Sequence, residues 1–237
     1  MLPGPGDTNE AGYPRTGKGG RVAIDIVDQR IEDYLRDLLG ARDEIAEEME
    51  AEAKERDFPI VDRVVGVTLE VLARAIGARR VLEMGSGYGY SAYWFARAVG
   101  PDGEVHMTEG DPGNQEKAMD YLGRAGLADR VRSHVGDALE IIDQLEGSFD
   151  VVFCDIDKGG YPTAWEKARE RLRKGGLYLA DNVLWGGRVA EGVPPDDRPE
   201  DWTEAVRRHN KAIASDDRYR STIIPTRDGV MMALRIA

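Results

Sequence analysis

The chain carries a single cysteine, Cys154, which excludes an internal disulfide and any metal site built from several thiolates. No apolar run approaches the roughly 20 residues needed to span a bilayer. The first residues also lack the apolar segment of a signal peptide. A cytoplasmic protein with no membrane partner is therefore expected. The three histidines, His106, His134 and His209, do not cluster and earn no role. Positive charge is in deficit, 32 Lys and Arg against 44 Asp and Glu, for a formal charge of −12. Nucleic-acid partners usually meet a basic face, so a nucleic-acid role is not expected. An acidic surface also serves solubility alone.

What is present fits one domain. The chain has 237 residues and is 41% hydrophobic, with ample length for a core. Residues 1–20 are rich in glycine and proline, without apolar periodicity, and read as a disordered tail. Residues 21–237 read as a single domain, with helices over 21–77 and a core over 78–237. In the first part Ile24, Val27, Ile31, Tyr34, Leu35 and Leu38 recur at helical spacing, and Gly40 is a plausible stop. A second, acidic helix carries Ile45, Met49 and Ala53 and breaks at Phe58-Pro59. A third runs from Asp62, its N-cap, to Ile76.

From Arg79 strand and helix alternate. Strands are predicted over 79–83, 104–108, 130–135, 149–154 and 177–180, with a helix over 162–173 before the last. A helix over 201–214 precedes two terminal strands joined across Arg227-Asp228-Gly229, a turn signal. This alternation predicts an α/β fold: a Rossmann-like, mainly parallel seven-stranded sheet with helices on both faces and a C-terminal antiparallel hairpin.

The stretch 81–91, Val-Leu-Glu-Met-Gly-Ser-Gly-Tyr-Gly-Tyr-Ser, reads as a strand, a glycine-rich turn and a helix start. Such a turn lies where open α/β sheets bind nucleotide-like ligands. The dinucleotide fingerprint G-x-G-x-x-G is not met, because Tyr90 holds the third glycine's place. Glu83 stands at the strand end, where a carboxylate suits a cationic ligand better than a pyrophosphate. S-adenosylmethionine (SAM) has no phosphate and carries an ammonium and a sulfonium. A nicotinamide-dependent oxidoreductase is the rival on a similar sheet.

In a parallel sheet all strand carboxyl ends face one crevice, so polar residues there converge. Glu109, about twenty residues beyond the glycine loop, can accept from ribose hydroxyls. Asp137 can accept from an adenine amine or simply cap a helix. Asp155, Asp181 and Asn182 end neighbouring strands about 4.8 Å apart. Their oxygens suit a hard ion such as Mg²⁺, Ca²⁺ or Mn²⁺. The alternative makes Asp181-Asn182 a turn and Asp155 a cap. Lys158 follows Asp155 by three residues, and a partly buried lysine beside a cation can act as a base. Trp185, with Gly186-Gly187, can line a flat aromatic pocket or pack in the core. Cys154 reads as core.

These stretches, together with Asp155-Ile156-Asp157-Lys158-Gly159-Gly160-Tyr161 and Asp181-Asn182-Val183-Leu184-Trp185-Gly186-Gly187-Arg188-Val189, resemble the cation-dependent O-methyltransferases. That family includes catechol and caffeoyl-CoA O-methyltransferases, and the resemblance covers about Phe58 to the C-terminus. It implies that Glu83, Gly85, Ser86, Ser91, Glu109, Asp137 and Ala138 hold SAM. It implies that Asp155, Asp181 and Asn182 hold a divalent cation, with Lys158 as base or charge stabiliser. Asp155, Lys158, Trp185 and Asn210 would meet a catechol-like acceptor, and a homodimer is the family expectation. The chain departs from the family at Ile156, usually alanine, and at Val61, often polar. A metal-independent methyltransferase is the closer alternative.

Overall fold

The computed structural model describes residues 26–39, 43–190 and 199–237. The expected N-terminal tail, Val22, Ile24 and Gly40 lie outside them. Among the described residues no helix is long and apolar enough to cross a membrane.

Three helices precede the sheet: α1 (Gln29–Leu38), α2 (Glu44–Arg56) and α3 (Arg63–Ala75). Each starts at an aspartate whose carboxylate accepts from a first-turn amide: Asp28 from Arg30, Asp43 from Ile45 and Asp62 from Val65. Helix α2 buries Met49 and Ala53 of its expected stripe, and α3 buries Val65 and Leu69. Helix α1 buries nothing; its Ile31, Tyr34 and Leu38 are more than half exposed.

The alternating part is β1 (Arg80–Met84), α4 (Tyr90–Val99), β2 (Glu104–Glu109), α5 (Pro112–Arg124), β3 (Val131–Val135), α6 (Ala138–Gln144), β4 (Phe149–Cys154), α7 (Tyr161–Arg171) and β5 (Leu172–Ala180). Helix α8 (Glu200–Ala214) and the hairpin β6 (Tyr219–Ile224) and β7 (Val230–Arg235) complete it. The seven strands lie in the order β3-β2-β1-β4-β5-β7-β6. The first five are parallel, and β7 runs antiparallel to both β5 and β6. This is the predicted fold.

Alternation along each strand divides the core in two. Val81, Val105, Val151, Phe153 and Leu179 pack with α2, α3, α4 and α5 on one face. Leu82, Met84, Val152, Cys154 and Ala180 pack with α6, α7 and α8 on the other. Strand order reverses between β1 and β4, so the crevice opens beyond their carboxyl ends.

The largest boundary difference from the sequence reading is at β5. Helix α7 stops at Arg171, not Arg173, and β5 starts at Leu172. Pairing with β4 jumps from Phe149–Leu172 to Val151–Leu177, so residues 173–176 bulge out of register. Gly175 takes φ +77 there, and Arg173 forms an ion pair with Asp150 across the bulge. The other Asp150 oxygen accepts from the Arg79 and Arg80 amides at 2.8 and 2.7 Å, locking the start of β1.

Candidate active site

The loop after β1 is held from both neighbouring strands. Ser86 N–H donates to the Thr108 carbonyl (3.0 Å), and the Thr108 hydroxyl donates to the Glu83 carbonyl (3.0 Å). On the other side Asp155 N–H donates to the Met84 carbonyl (2.9 Å). Gly85 sits between these strands at φ +84. A Cβ at that position would come within 2.4 Å of the Asp155 carbonyl oxygen, so glycine is required by space as well as by φ. Helix α2 ties down the far side of the loop: Tyr88 donates to the Met49 carbonyl (2.8 Å) and Tyr90 to the Glu50 carboxylate (2.5 Å).

Glu83 is fully buried beneath this loop, and neither carboxylate oxygen has a hydrogen-bond partner. The buried Ser86 hydroxyl lacks one too. Burial pushes the Glu83 carboxyl up to about 7, and the Asp155 and Glu109 charges add to the rise. Buried polar atoms in native proteins are almost always paired, so these atoms fit a ligand that brings donors or positive charge.

The second constellation lies across the crevice. Asp155 follows β4, and Asp181 and Asn182 follow β5, with Asp181 N–H donating to the Cys154 carbonyl (3.2 Å). Asp181 is buried; one of its oxygens accepts from the Asn182 amide (3.2 Å) and the other has no partner. Burial, reinforced by the Asp155 charge, raises its carboxyl to about 7. Asn182 holds φ +53, an uncommon conformation for a residue with a side chain. Among the described residues no three His, Cys, Asp and Glu side chains are arranged around a metal position. The donor set here is two carboxylates and one amide. A buried acid with an unpartnered oxygen, under the charge of the partly exposed Asp155, fits a hard cation.

Lys158 is 7% exposed and directs its ammonium into the same place. It donates to Asp155 Oδ1 (2.8 Å), the Ile156 carbonyl (3.2 Å) and the Tyr161 hydroxyl (2.8 Å). The Tyr161 hydroxyl in turn donates to the Asp181 carbonyl (2.8 Å). A lysine has three N–H donors, and all three are engaged.

Behind the Asp181-Asn182 turn runs a buried relay. Asn210 Nδ2 donates to the Val183 carbonyl (2.7 Å), which leaves Asn210 Oδ1 to accept from His209 Nδ1 (3.0 Å). That tautomer leaves His209 Nε2 to accept from the Tyr178 hydroxyl (3.0 Å). Burial pushes the His209 ring down to about 4, keeping it neutral.

These elements enclose a cavity of about 630 Å³. Of the residues predicted from sequence, Gly85, Ser86, Ser91, Glu109, Asp155, Lys158, Asp181, Asn182 and Trp185 line it. Glu83 is buried under its floor. Asp137 caps α6 by accepting from the Leu139 amide (2.7 Å), and neither it nor Ala138 lines the cavity. Asn210 is also outside the lining and acts through Val183. Among the lining residues assigned no site role from sequence are Phe58 and Ile60 from the α2–α3 connection, Trp202 from α8, and Arg227 from the β6–β7 turn. Trp202 faces Trp185 with ring centroids 6.1 Å apart.

A sheet of this order with a glycine loop after β1 and acids at the next strand ends defines a Rossmann-like methyltransferase. The O-methyltransferase TomG from Streptomyces achromogenes, solved with SAM, has this fold. The two agree with a TM-score of 0.79 and 33% identity, over 88% of this chain and 96% of TomG. The particular family follows from sequence. Residues 41–236 match the family model described as O-methyltransferase, and the chain belongs to that family. Caffeoyl-CoA O-methyltransferase 1 of Eucalyptus globulus is 34% identical over 182 residues, 73% of each chain. Catechol O-methyltransferase of Niastella koreensis is 31% identical over 202 residues, 83% of this chain and 90% of its own length. The protein is an enzyme of the O-methyltransferase class, not the oxidoreductase entertained above.

Proposed function

We propose that this chain is a SAM-dependent, cation-dependent O-methyltransferase acting on one hydroxyl of a vicinal dihydroxy aromatic. The observation that carries the reading is the buried Asp181 carboxylate, one oxygen unpartnered, beside Asp155 and Asn182. Relatives named for catechol and caffeoyl-CoA acceptors support the diol class.

Glu83, Gly85, Ser86, Ser91 and Glu109 would hold SAM, with Asp137 and Ala138 at the α6 end. The unpaired Glu83 carboxylate and Ser86 hydroxyl are the groups that fit its amino-acid portion. Asp155, Asp181 and Asn182 would hold Mg²⁺, Mn²⁺ or Ca²⁺. An ordinary phenol has a pKa of about 10 and is a poor nucleophile at neutral pH. A dication held there supplies Lewis-acid stabilisation of the ionised hydroxyl.

The chain's own residues do the rest. Tyr161 and Asp155 fix Lys158 Nζ at the cavity wall. From there the Lys158 ammonium offsets the charge that develops on the acceptor oxygen; it would take that oxygen's proton only as the neutral amine, after passing one of its own protons to Asp155 or to solvent. Trp185 and Trp202 offer flat apolar surface to an aromatic ring. The crevice between β1 and β4 then aligns oxygen and methyl group, which supplies proximity. The acceptor O–H and donor S–CH₃ bonds break, an O–CH₃ bond forms, and S-adenosylhomocysteine leaves.

A methyl-transfer screen tests this reading. Catechol, protocatechuate and a caffeoyl thioester are compared with phenol, with and without EDTA. Monomethylation of the diols alone, lost in EDTA, is expected. Equal methylation of phenol in EDTA would establish the metal-independent alternative.

A further inference from the structure

We propose that Arg227 selects acceptors bearing a carboxylate, so that the preferred substrate is an anionic vicinal diol. The inference rests on the diol reading of this cavity and deepens it. Arg227 occupies the β6–β7 turn at φ +47. Glycine or asparagine meets such a turn at lower cost. An arginine kept in an unfavourable backbone region points to a use for its side chain.

The turn is held rigidly against the proposed cation site. Asp228 accepts through its carbonyl from Leu184 N–H (2.8 Å) and through its carboxylate from Gly186 N–H (2.5 Å). The Gly229 carbonyl accepts from Val183 N–H (3.1 Å). The backbone beside Arg227 is thereby bonded to the loop that follows Asp181 and Asn182.

Arg227 lines the same cavity as those residues. Its nearest carboxylate is Asp62, 3.9 Å from Nε, and no hydrogen bond reaches the guanidinium among the described residues. Asp62 is also committed elsewhere, capping α3 and accepting from Arg36 (3.4 Å). The cavity's other charges are Glu109, Asp155, Asp157, Asp181 and Lys158, and Lys158 has its donors engaged within the wall. Arg227 is therefore the cation that presents donors to an incoming ligand, in a fork that matches a carboxylate.

A carboxylate can come from the acceptor or from the amino-acid end of SAM. The acceptor is favoured because Arg227 stands on the Asp181-Asn182 side of the crevice, tied to that loop.

The test measures binding of protocatechuate and its neutral amide to the complex with S-adenosylhomocysteine and Mg²⁺. Wild type, R227G and R227K are compared, glycine being unstrained at this φ. A charge-assisted pair predicts an acid-over-amide preference of about 10- to 100-fold in wild type. R227G should abolish the preference, R227K should keep part of it, and affinity for S-adenosylhomocysteine should not move. Equal binding of acid and amide by wild type, a preference that survives R227G, a loss that falls on S-adenosylhomocysteine, or no binding of either diol would each overturn the proposal. Arg227-dependent binding of an acid that is never methylated would instead defeat the diol reading alone.

Discussion

The Lys158 ammonium donates to the Asp155 carboxylate across 2.8 Å, with the lysine almost wholly buried. The pair joins the proposed catalytic amine to a proposed cation ligand, so the two functions cannot be varied independently.

Lys158→Met should lower kcat by about 10²- to 10⁴-fold, the usual range for a lost proton-transfer group. SAM affinity should be nearly unchanged, because Lys158 touches the Asp155 side of the crevice. Single-turnover kinetics alongside SAM titration would check both. A variant with wild-type kcat would remove Lys158 from the mechanism.

Glu83 predicts an unusual pH dependence. Its carboxyl is raised from 4.5 to about 7 in the folded protein. A raised carboxyl favours folding below the unfolded value and loses that contribution as pH rises through the folded one. The ligand-free protein should therefore lose on the order of 3 kcal/mol between pH 4.5 and 7 from this group. Glu83→Gln should flatten the loss while weakening SAM binding. Denaturant melts across this pH range, paired with SAM titrations, give both readouts. A pH slope that Glu83→Gln leaves intact would assign it to other groups.

The relay behind Asn182 predicts coupling between stability and cation affinity. His209→Phe removes a partner from the buried Tyr178 hydroxyl and from the part-buried Asn210 Oδ1, at about 1–3 kcal/mol for each group left unsatisfied. It also loosens the Asn210 bond to Val183, next to Asn182. The variant should melt earlier and need more Mg²⁺ for half-maximal activity. Unchanged Mg²⁺ dependence in a destabilised variant would limit the relay to structure.

Most of the sheet was legible because strand alternation and turn residues are local signals. The misplaced start of β5 was not, because residues 173–176 form a bulge against β4 that Arg173 closes by its ion pair with Asp150. The α1 stripe was legible as a helix but not as exposed, since periodicity reports a face and not what covers it. The convergence of Asp155, Asp181 and Asn182 on one cavity followed from topology. Trp202 and Arg227 escaped notice because each sits beside a boundary signal, a helix start and an Asp-Gly turn. An arginine where that turn favours glycine was the one clue available for Arg227.

The central claim is that oxygen ligands from β4 and β5 hold a dication that methyl transfer requires. Metal-stripped enzyme should be assayed with labelled SAM and protocatechuate while Mg²⁺ is added back, beside Asp155→Ala. No turnover without Mg²⁺, saturable recovery with it, and none in Asp155→Ala at retained SAM affinity is the predicted result. Full turnover by the stripped enzyme, or by Asp155→Ala in EDTA, would contradict it.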